Sequence, residues 1–74
     1  MCDGMQVYGI EVDVAVARPP TPANTRTRYY RVAVPLTLSN FSADTEAQLL
    51  ACAMAAGDPR VVMPVASRIV DLTL

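Results

Sequence analysis

The sequence predicts an α+β domain in which strand, strand, helix and strand (ββαβ) form a three-stranded sheet in the order 2-1-3, with the helix packed on one face. Three observations predict this fold. Two runs of alternating apolar and polar residues flank a proline-rich stretch, an alanine-rich run with helix signals follows, and the end of the chain alternates again. Residues 1–74 are enough for one small domain only, and we expect residues 1–4 to be frayed.

The first two strands are predicted from their period of two. The run from Met5 to Ala17 has an apolar side made of Tyr8, Ile10, Val12, Val14 and Val16. The second run has an apolar side made of Tyr30, Val32, Val34, Leu36 and Leu38. A hairpin that matches these sides pairs Val14 with Tyr30, Val12 with Val32 and Ile10 with Val34.

The helix is predicted over Ala43 to Ala56. Ser42 is a suitable N-cap, Asp44 and Glu46 favour the first turn, and Gly57 is expected to end the helix in a left-handed conformation. The residues expected to face the sheet are Ala43, Ala47, Leu50, Ala51 and Met54.

The last strand is predicted over Arg68 to Leu74, because Pro64 interrupts the pattern of residues 60–67. A right-handed crossover through the helix makes this strand parallel to the second one. The first strand contains no proline, and proline belongs on sheet edges, so the first strand is predicted to lie in the centre.

Composition excludes several classes of site. The net charge of −1 disfavours a general polyanion binder, and two cysteines without histidine cannot supply a structural zinc site. Cys2 in a frayed terminus and Cys52 in a helix do not suggest a disulfide. We therefore expect no metal, no cofactor and no membrane span, and a cytoplasmic location. A chain this short has a small core, which favours self-association as reinforcement.

Catalytic residues are not evident. Glu11 and Asp13 lie on one strand face, and we interpret them as solvated carboxylates paired with Arg31 on the neighbouring strand. Cys52 lies among alanines with no base to activate it, and is read as an inert thiol. The chain is therefore expected not to be an enzyme.

Two surfaces are candidates for contact with a partner. The first is the helix side opposite the predicted inward set, formed by Leu49, Cys52, Ala53 and Ala56. A helix that is apolar on all sides is normally covered on more than one side. Either the segment from Val61 to Ala66 covers this stripe, or another chain does.

The second candidate surface is a hairpin with a loop rich in proline and arginine at residues 18–26. Its proposed contact residues are Arg18, Arg26, Arg28, Tyr29 and Arg31. Such a hairpin tip can be simply solvated, can contact a protein, since arginine and tyrosine are common at interface hot spots, or can grip a phosphate backbone.

The stretch from Glu46 to Ala56, followed by Val62 to Asp71, resembles the C-terminal half of small uncharacterised proteins from phages of actinobacteria. The predicted fold is also similar to that of some small phage proteins that inhibit bacterial defence systems. The use of arginine without any lysine agrees with a GC-rich host.

This resemblance implies an accessory protein that binds and modulates a host or phage protein. Two alternatives remain open, a nucleic-acid-binding module that uses the arginine hairpin and a self-assembling structural component.

Overall fold

A computed structural model describes residues 4–35 and 40–73 and has the predicted ββαβ fold. Strand β1 spans Met5–Ala15, β2 spans Thr25–Pro35, helix α1 spans Asn40–Ala56 and β3 spans Met63–Thr73. The predictions made for residues 1–3, Leu36, Leu38 and Leu74 lie outside the described residues.

The three strands form one antiparallel sheet in the order β2-β1-β3. Because β2 and β3 both run antiparallel to β1, they are parallel to each other, as the crossover through α1 predicts. Pro35 and Pro64 lie on the two edge strands, where a missing backbone donor does not break a ladder. This confirms that the first strand lies in the centre.

The hairpin register differs from the predicted one by four residues. Val12 lies opposite Arg28 rather than Val32, and Ile10 lies opposite Tyr30. The strands continue closer to the loop than the apolar pattern suggests, because a short 3-10 turn at Pro22–Asn24 closes the connection with a hydrogen bond from the Val16 amide to the Asn24 carbonyl. A shift of four residues is even, so every side chain stays on its predicted face.

Strand β3 is longer than predicted and begins before Pro64. Its pairing with β1 shifts between Gly9 and Ile10 and again between Asp13 and Val14. These irregularities insert extra residues into the edge strand and hide its period of two. For this reason the alternation of residues 63–67 is broken in the sequence, although all of them except Val65 have a partner on β1.

The core lies between α1 and one face of the sheet. Ile10, Val12, Val14 and Val34 are fully buried there. The fully described part of the helix, residues 42–56, buries four alanines in this interface, Ala43, Ala47, Ala51 and Ala55, and Cys52 packs at its margin. The four alanines repeat every four residues and form one line along the helix.

The prediction that Leu50 and Met54 face the sheet is therefore wrong. Leu50 and Met54 each precede one of the core alanines, so they lie about 100° around the helix from it. Their exposed fractions are 38% and 51%. The valine, isoleucine and tyrosine side chains of the sheet supply most of the buried volume, and the helix residues buried against them are alanines.

Both predicted ends of the helix also need correction. The helix begins at Asn40, so Ser42 lies in its first turn and is not the N-cap. Gly57 follows the last helical residue but does not have a positive φ. Instead the chain leaves the helix through a tight turn in which the Gly57 amide donates to the Met54 carbonyl and the Asp58 amide to the Ala55 carbonyl.

Candidate protein-contact surface

The side of α1 that faces away from the sheet carries an exposed apolar surface. We call it the outer apolar surface, and it consists of Leu49, Leu50, Ala53, Met54 and Ala56. Leu49 has the largest exposed fraction of its three large side chains, 62%. The segment at 61–66 does not cover it, because Val61 packs into the core and the following residues enter β3. The surface is thus open within the described part of the chain.

One residue of the predicted stripe does not belong to this surface. Cys52 is half-buried and packs against the core, on the same flank of the helix as Gln48. Gln48 accepts a hydrogen bond of 2.8 Å from the Ser67 hydroxyl of β3, which fixes that flank against the sheet. Leu50 and Met54, which lie on the opposite flank of the helix, belong to the outer apolar surface instead.

The exposed side of α1 changes character along its length. The first half carries polar residues, among them Ser42, Thr45 and Glu46, which are all exposed. From Leu49 to Ala56 no polar side chain other than the Cys52 thiol interrupts the helix. Asp58 and Arg60 follow immediately after the helix end. The apolar half is therefore bounded at both ends by charged residues.

The arginine hairpin does not form one cluster. Arg28 points to the helix-covered face, whereas Tyr29 and Arg31 lie on the open face of the sheet. The Arg26 guanidinium donates to the carbonyls of Ala23 and Thr25 at 3.0 Å each, so it stabilises the loop. Of the predicted hairpin residues, Arg18, Arg26, Tyr29 and Arg31 are exposed and outside any ion pair among residues 4–35 and 40–73.

The position of Tyr29 is fixed by its contact with Gly9. The ring of Tyr29 lies across this glycine, so that a Cβ atom there would come 3.0 Å from Tyr29 Cε1 and 2.8 Å from Asp71 Cβ. Only glycine fits beneath the ring. The exposed Tyr29 ring is therefore part of the packing of the open sheet face. This packing explains its position without a binding partner.

Asp58 connects the helix end to the hairpin, and sequence reasoning missed it. Its carboxylate forms ion pairs with Arg28 of β2 and with Arg60. The backbone amide of Arg60, then the Arg60 and Arg28 guanidinium groups, hold the pKa of Asp58 far below its usual range. Arg28 lies on the apolar side of β2 in either register, but its carboxylate partner comes from the turn after the helix, whose place beside β2 the sequence does not reveal.

The carboxylates of β1 are paired, but not with the predicted arginine. Arg68 of β3 donates to Glu11 Oε1 at 3.0 Å and to Asp13 Oδ2 at 3.0 Å. Arg31 lies opposite Gly9, so the predicted pairing with Arg31 is wrong for the same reason as the hairpin register. Arg68 and the Thr27 hydroxyl lower the pKa of Asp13, which keeps this carboxylate charged and engaged.

Within residues 4–35 and 40–73 there is no group of three potential metal ligands, and the described side chains enclose no pocket. None of the described helical segments has both the length and the apolar character that a bilayer span requires. Comparison of the chain with protein-family models, with curated proteins and with solved structures finds no match. The geometry of the outer apolar surface is therefore the main basis for a functional proposal.

Proposed function

We propose that this chain is a non-catalytic protein-binding domain that acts through the outer apolar surface of α1. The resemblance of residues 46–56 and 62–71 to actinobacterial phage proteins favours a phage accessory protein. In that setting the domain would modulate a host or phage protein by binding it stoichiometrically.

The exposure of large apolar side chains on one half of a helix carries this proposal. Leu49, Leu50 and Met54 lie within two turns of one another, and the small residues Ala53 and Ala56 leave room beside them. Contiguous apolar patches on small proteins mark interaction sites, whereas isolated exposed apolar residues do not. Burial of these side chains by a partner would be favourable by about 25 cal/mol for each Å² of apolar surface removed from water.

The arginine hairpin supports nucleic-acid binding less well. Arg28 is neutralised by Asp58, and Arg26 is bound to carbonyls of its own loop. Arg18 and Arg31 are left, and Glu11, Asp13 and Asp71 lie on the same sheet face as Arg31. A phosphate backbone would meet carboxylates there, so we expect weak binding that is lost as salt increases.

The test compares two variants that differ only in the site of the change. Leu49→Asp places a charge in the outer apolar surface, and Leu72→Asp places the same charge at a leucine on β3 with a similar exposed fraction, 59% against 62%. The two variants and the unaltered protein are used to capture proteins from an actinobacterial lysate, and the apparent mass of each is measured by light scattering.

We expect Leu49→Asp to lose a captured protein or to change its apparent mass, and Leu72→Asp to behave like the unaltered chain. If Leu49→Asp leaves both measurements unchanged, the outer apolar surface is not a contact site. Fluorescence anisotropy with single- and double-stranded DNA and RNA at low salt is the second measurement. Tight binding of DNA or RNA at low salt would favour the nucleic-acid-binding alternative over protein contact.

A further inference from the structure

We infer that the outer edge of β2 is a binding site for an extended acidic segment of a partner protein, which joins the sheet as a fourth strand. This edge is separate from the outer apolar surface, so the inference goes beyond the proposed function. The backbone of β2 supplies the hydrogen bonds, and the arginines of the same strand select the charge of the segment.

The pairing of β1 with β2 determines which backbone groups of β2 point away from the sheet. Directly opposite residues of an antiparallel pair either exchange both of their hydrogen bonds or exchange none, and the two kinds alternate. The Val16 amide donates to the Asn24 carbonyl at 2.8 Å, and the register of the two strands continues from this pair without a break. Even-numbered residues of β2 therefore bond to β1, and the backbone groups of odd-numbered residues point outward. Four residues have both an amide and a carbonyl on the outer edge, namely Thr27, Tyr29, Arg31 and Ala33.

This outer edge is open within the described part of the chain. All four outward residues are exposed, and β2 is the last strand of the sheet on this side. Pro35 occupies the next outward position, where it has no amide to leave unbonded. The edge is therefore a row of unused donors and acceptors that repeats about every 7 Å along the strand.

The opposite edge of the sheet is less suited to such pairing. The pairing of β3 with β1 shifts at two places, and Pro64 has no amide to donate. Irregularities of this kind twist an edge strand and interrupt its pairing. In contrast, β2 keeps one register with β1 over all 11 of its residues. Of the two edges, only that of β2 presents a regular template for another strand.

The charges along β2 favour an acidic partner. The strand contains Arg26, Arg28 and Arg31 and no carboxylate. Arg28 is neutralised by Asp58, whereas Arg31 is exposed and outside every ion pair between described residues. The carboxylates of β1 lie one strand further in and are held by Arg68. A segment beyond β2 is therefore closer to the free guanidinium group of Arg31 than to these carboxylates.

A second copy of β2 is a poor occupant of this edge. It carries the same three arginines, and like charges on adjacent strands are destabilising. A segment in which acidic and apolar residues alternate fits both faces of the sheet instead. Its acidic side chains lie on the open face beside Arg31, and its apolar side chains lie on the helix-covered face beside the half-buried Tyr30.

Two synthetic peptides of about eight residues, a usual strand length, test the inference. One alternates valine with glutamate and the other alternates valine with lysine. Each is titrated into isotopically labelled protein and followed by NMR. We expect the glutamate peptide to slow hydrogen exchange at the amides of the four outward residues, and the lysine peptide to bind about tenfold more weakly.

Methylation of the peptide backbone separates strand addition from charge attraction alone. We expect the peptide to pair antiparallel, like both pairs already present in the sheet. Glutamates opposite Tyr29 and Arg31 then direct their own amides toward β2, whereas the valine amides point away. Methylation of the glutamate nitrogens should abolish binding. Methylation of the valine nitrogens is the matched control and should leave binding nearly unchanged.

Three variants of the protein complete the test. Arg31→Glu should reverse the preference, so that the lysine peptide binds better than the glutamate peptide. Arg18→Glu makes the same change of charge in the hairpin loop and should keep the preference for glutamate. Ala33→Pro removes one outward amide without removing a bond to β1, and should weaken binding about fivefold. Circular dichroism verifies that every variant keeps the fold.

Three results would overturn the inference. One is the absence of any change at β2 with the glutamate peptide at about 1 mM. Another is equal binding of the two methylated peptides, because the segment would then not join the sheet through its backbone. The third is protection of the outward amides that grows with protein concentration before peptide is added, because a second copy would then occupy the edge. All three leave the proposed function intact, since capture through the outer apolar surface is measured separately with Leu49→Asp.

Discussion

The two faces of α1 are built from residues of opposite size. The face against the sheet consists of four alanines, all buried, whereas the outer side exposes two leucines and a methionine. Amphipathic helices normally bury their large apolar residues. Here the β-branched and aromatic side chains of the sheet supply the volume, and the helix supplies a smooth surface that lies close to them. In this domain side-chain size, as well as hydrophobicity, selects the helix face that packs against the sheet.

The largest expected effect comes from removing volume on the sheet side of this interface. Ile10→Ala leaves a cavity that the alanine face of the helix cannot fill, and we expect it to lower the free energy of unfolding by about 2–5 kcal/mol. Leu72→Ala is the control, because this leucine is 59% exposed on an edge strand. Urea denaturation measures both. If both changes lowered the free energy of unfolding equally, the buried side chains of the sheet would not supply the volume of the core.

Adding volume to the inner face should be the next largest effect. Ala51→Leu inserts three carbon atoms between the helix and the fully buried valines, and overpacking of this kind costs about 1–3 kcal/mol. Ala53→Leu makes the same change two residues along, on the exposed side, and should be nearly neutral. Thermal unfolding of both variants at low protein concentration tests the comparison directly. A stable Ala51→Leu would show that the inner face does not require small residues.

Strand order, strand direction and the face of each β1 and β2 residue were predictable from the sequence. They follow from the period of two and from proline placement, which are local properties of the chain, and from the right-handed crossover through the helix. The register was not predictable, because it depends on how the loop from Val16 to Asn24 closes. Maximising apolar pairs favoured Val12 beside Val32, yet the structure places Arg28 there, and Asp58 compensates its charge.

The candidate surface was predictable in part. Leu49, Ala53 and Ala56 were assigned to the outer side, and the structure places them there. The prediction is wrong for Cys52, which packs against the core, and for Leu50 and Met54, which are exposed, because a helix segment that is apolar on all sides has no polar stripe to fix its rotation. The line of four alanines was the missing signal. It defines the rotation once the sheet is known to carry the larger side chains.

A smaller effect is expected where the helix end is tied to β2. Hydrogen bonds from the Arg60 backbone amide and from the Arg60 and Arg28 guanidinium groups lower the pKa of Asp58 in the folded state. The pKa of the unfolded group is about 3.9, so this stabilisation is fully present above about pH 5 and is lost progressively as the pH falls toward the folded pKa. Asp58→Asn should therefore destabilise the protein at pH 7, and the difference from the unaltered protein should narrow at pH 3.

Denaturation at the two pH values measures this difference, and Asp71→Asn is the control. Asp71 is exposed and takes part in no ion pair among the residues that the structure describes. A difference for Asp58→Asn that is independent of pH would mean that its carboxylate does not anchor the helix end through charge.

The smallest effect on folding is expected on the outer face itself. Leu49→Gln keeps a long side chain, and since Leu49 is mostly solvated in the single chain, the free energy of unfolding of the monomer should change by less than about 0.5 kcal/mol. Self-association through the outer apolar surface would add stability that grows with concentration, because only the folded chain would form the interface. The melting temperature of the unaltered protein should therefore rise with protein concentration, while that of Leu49→Gln should stay nearly constant. Parallel curves for the two proteins would mean that the outer face serves neither folding nor association, and that its leucines are merely tolerated.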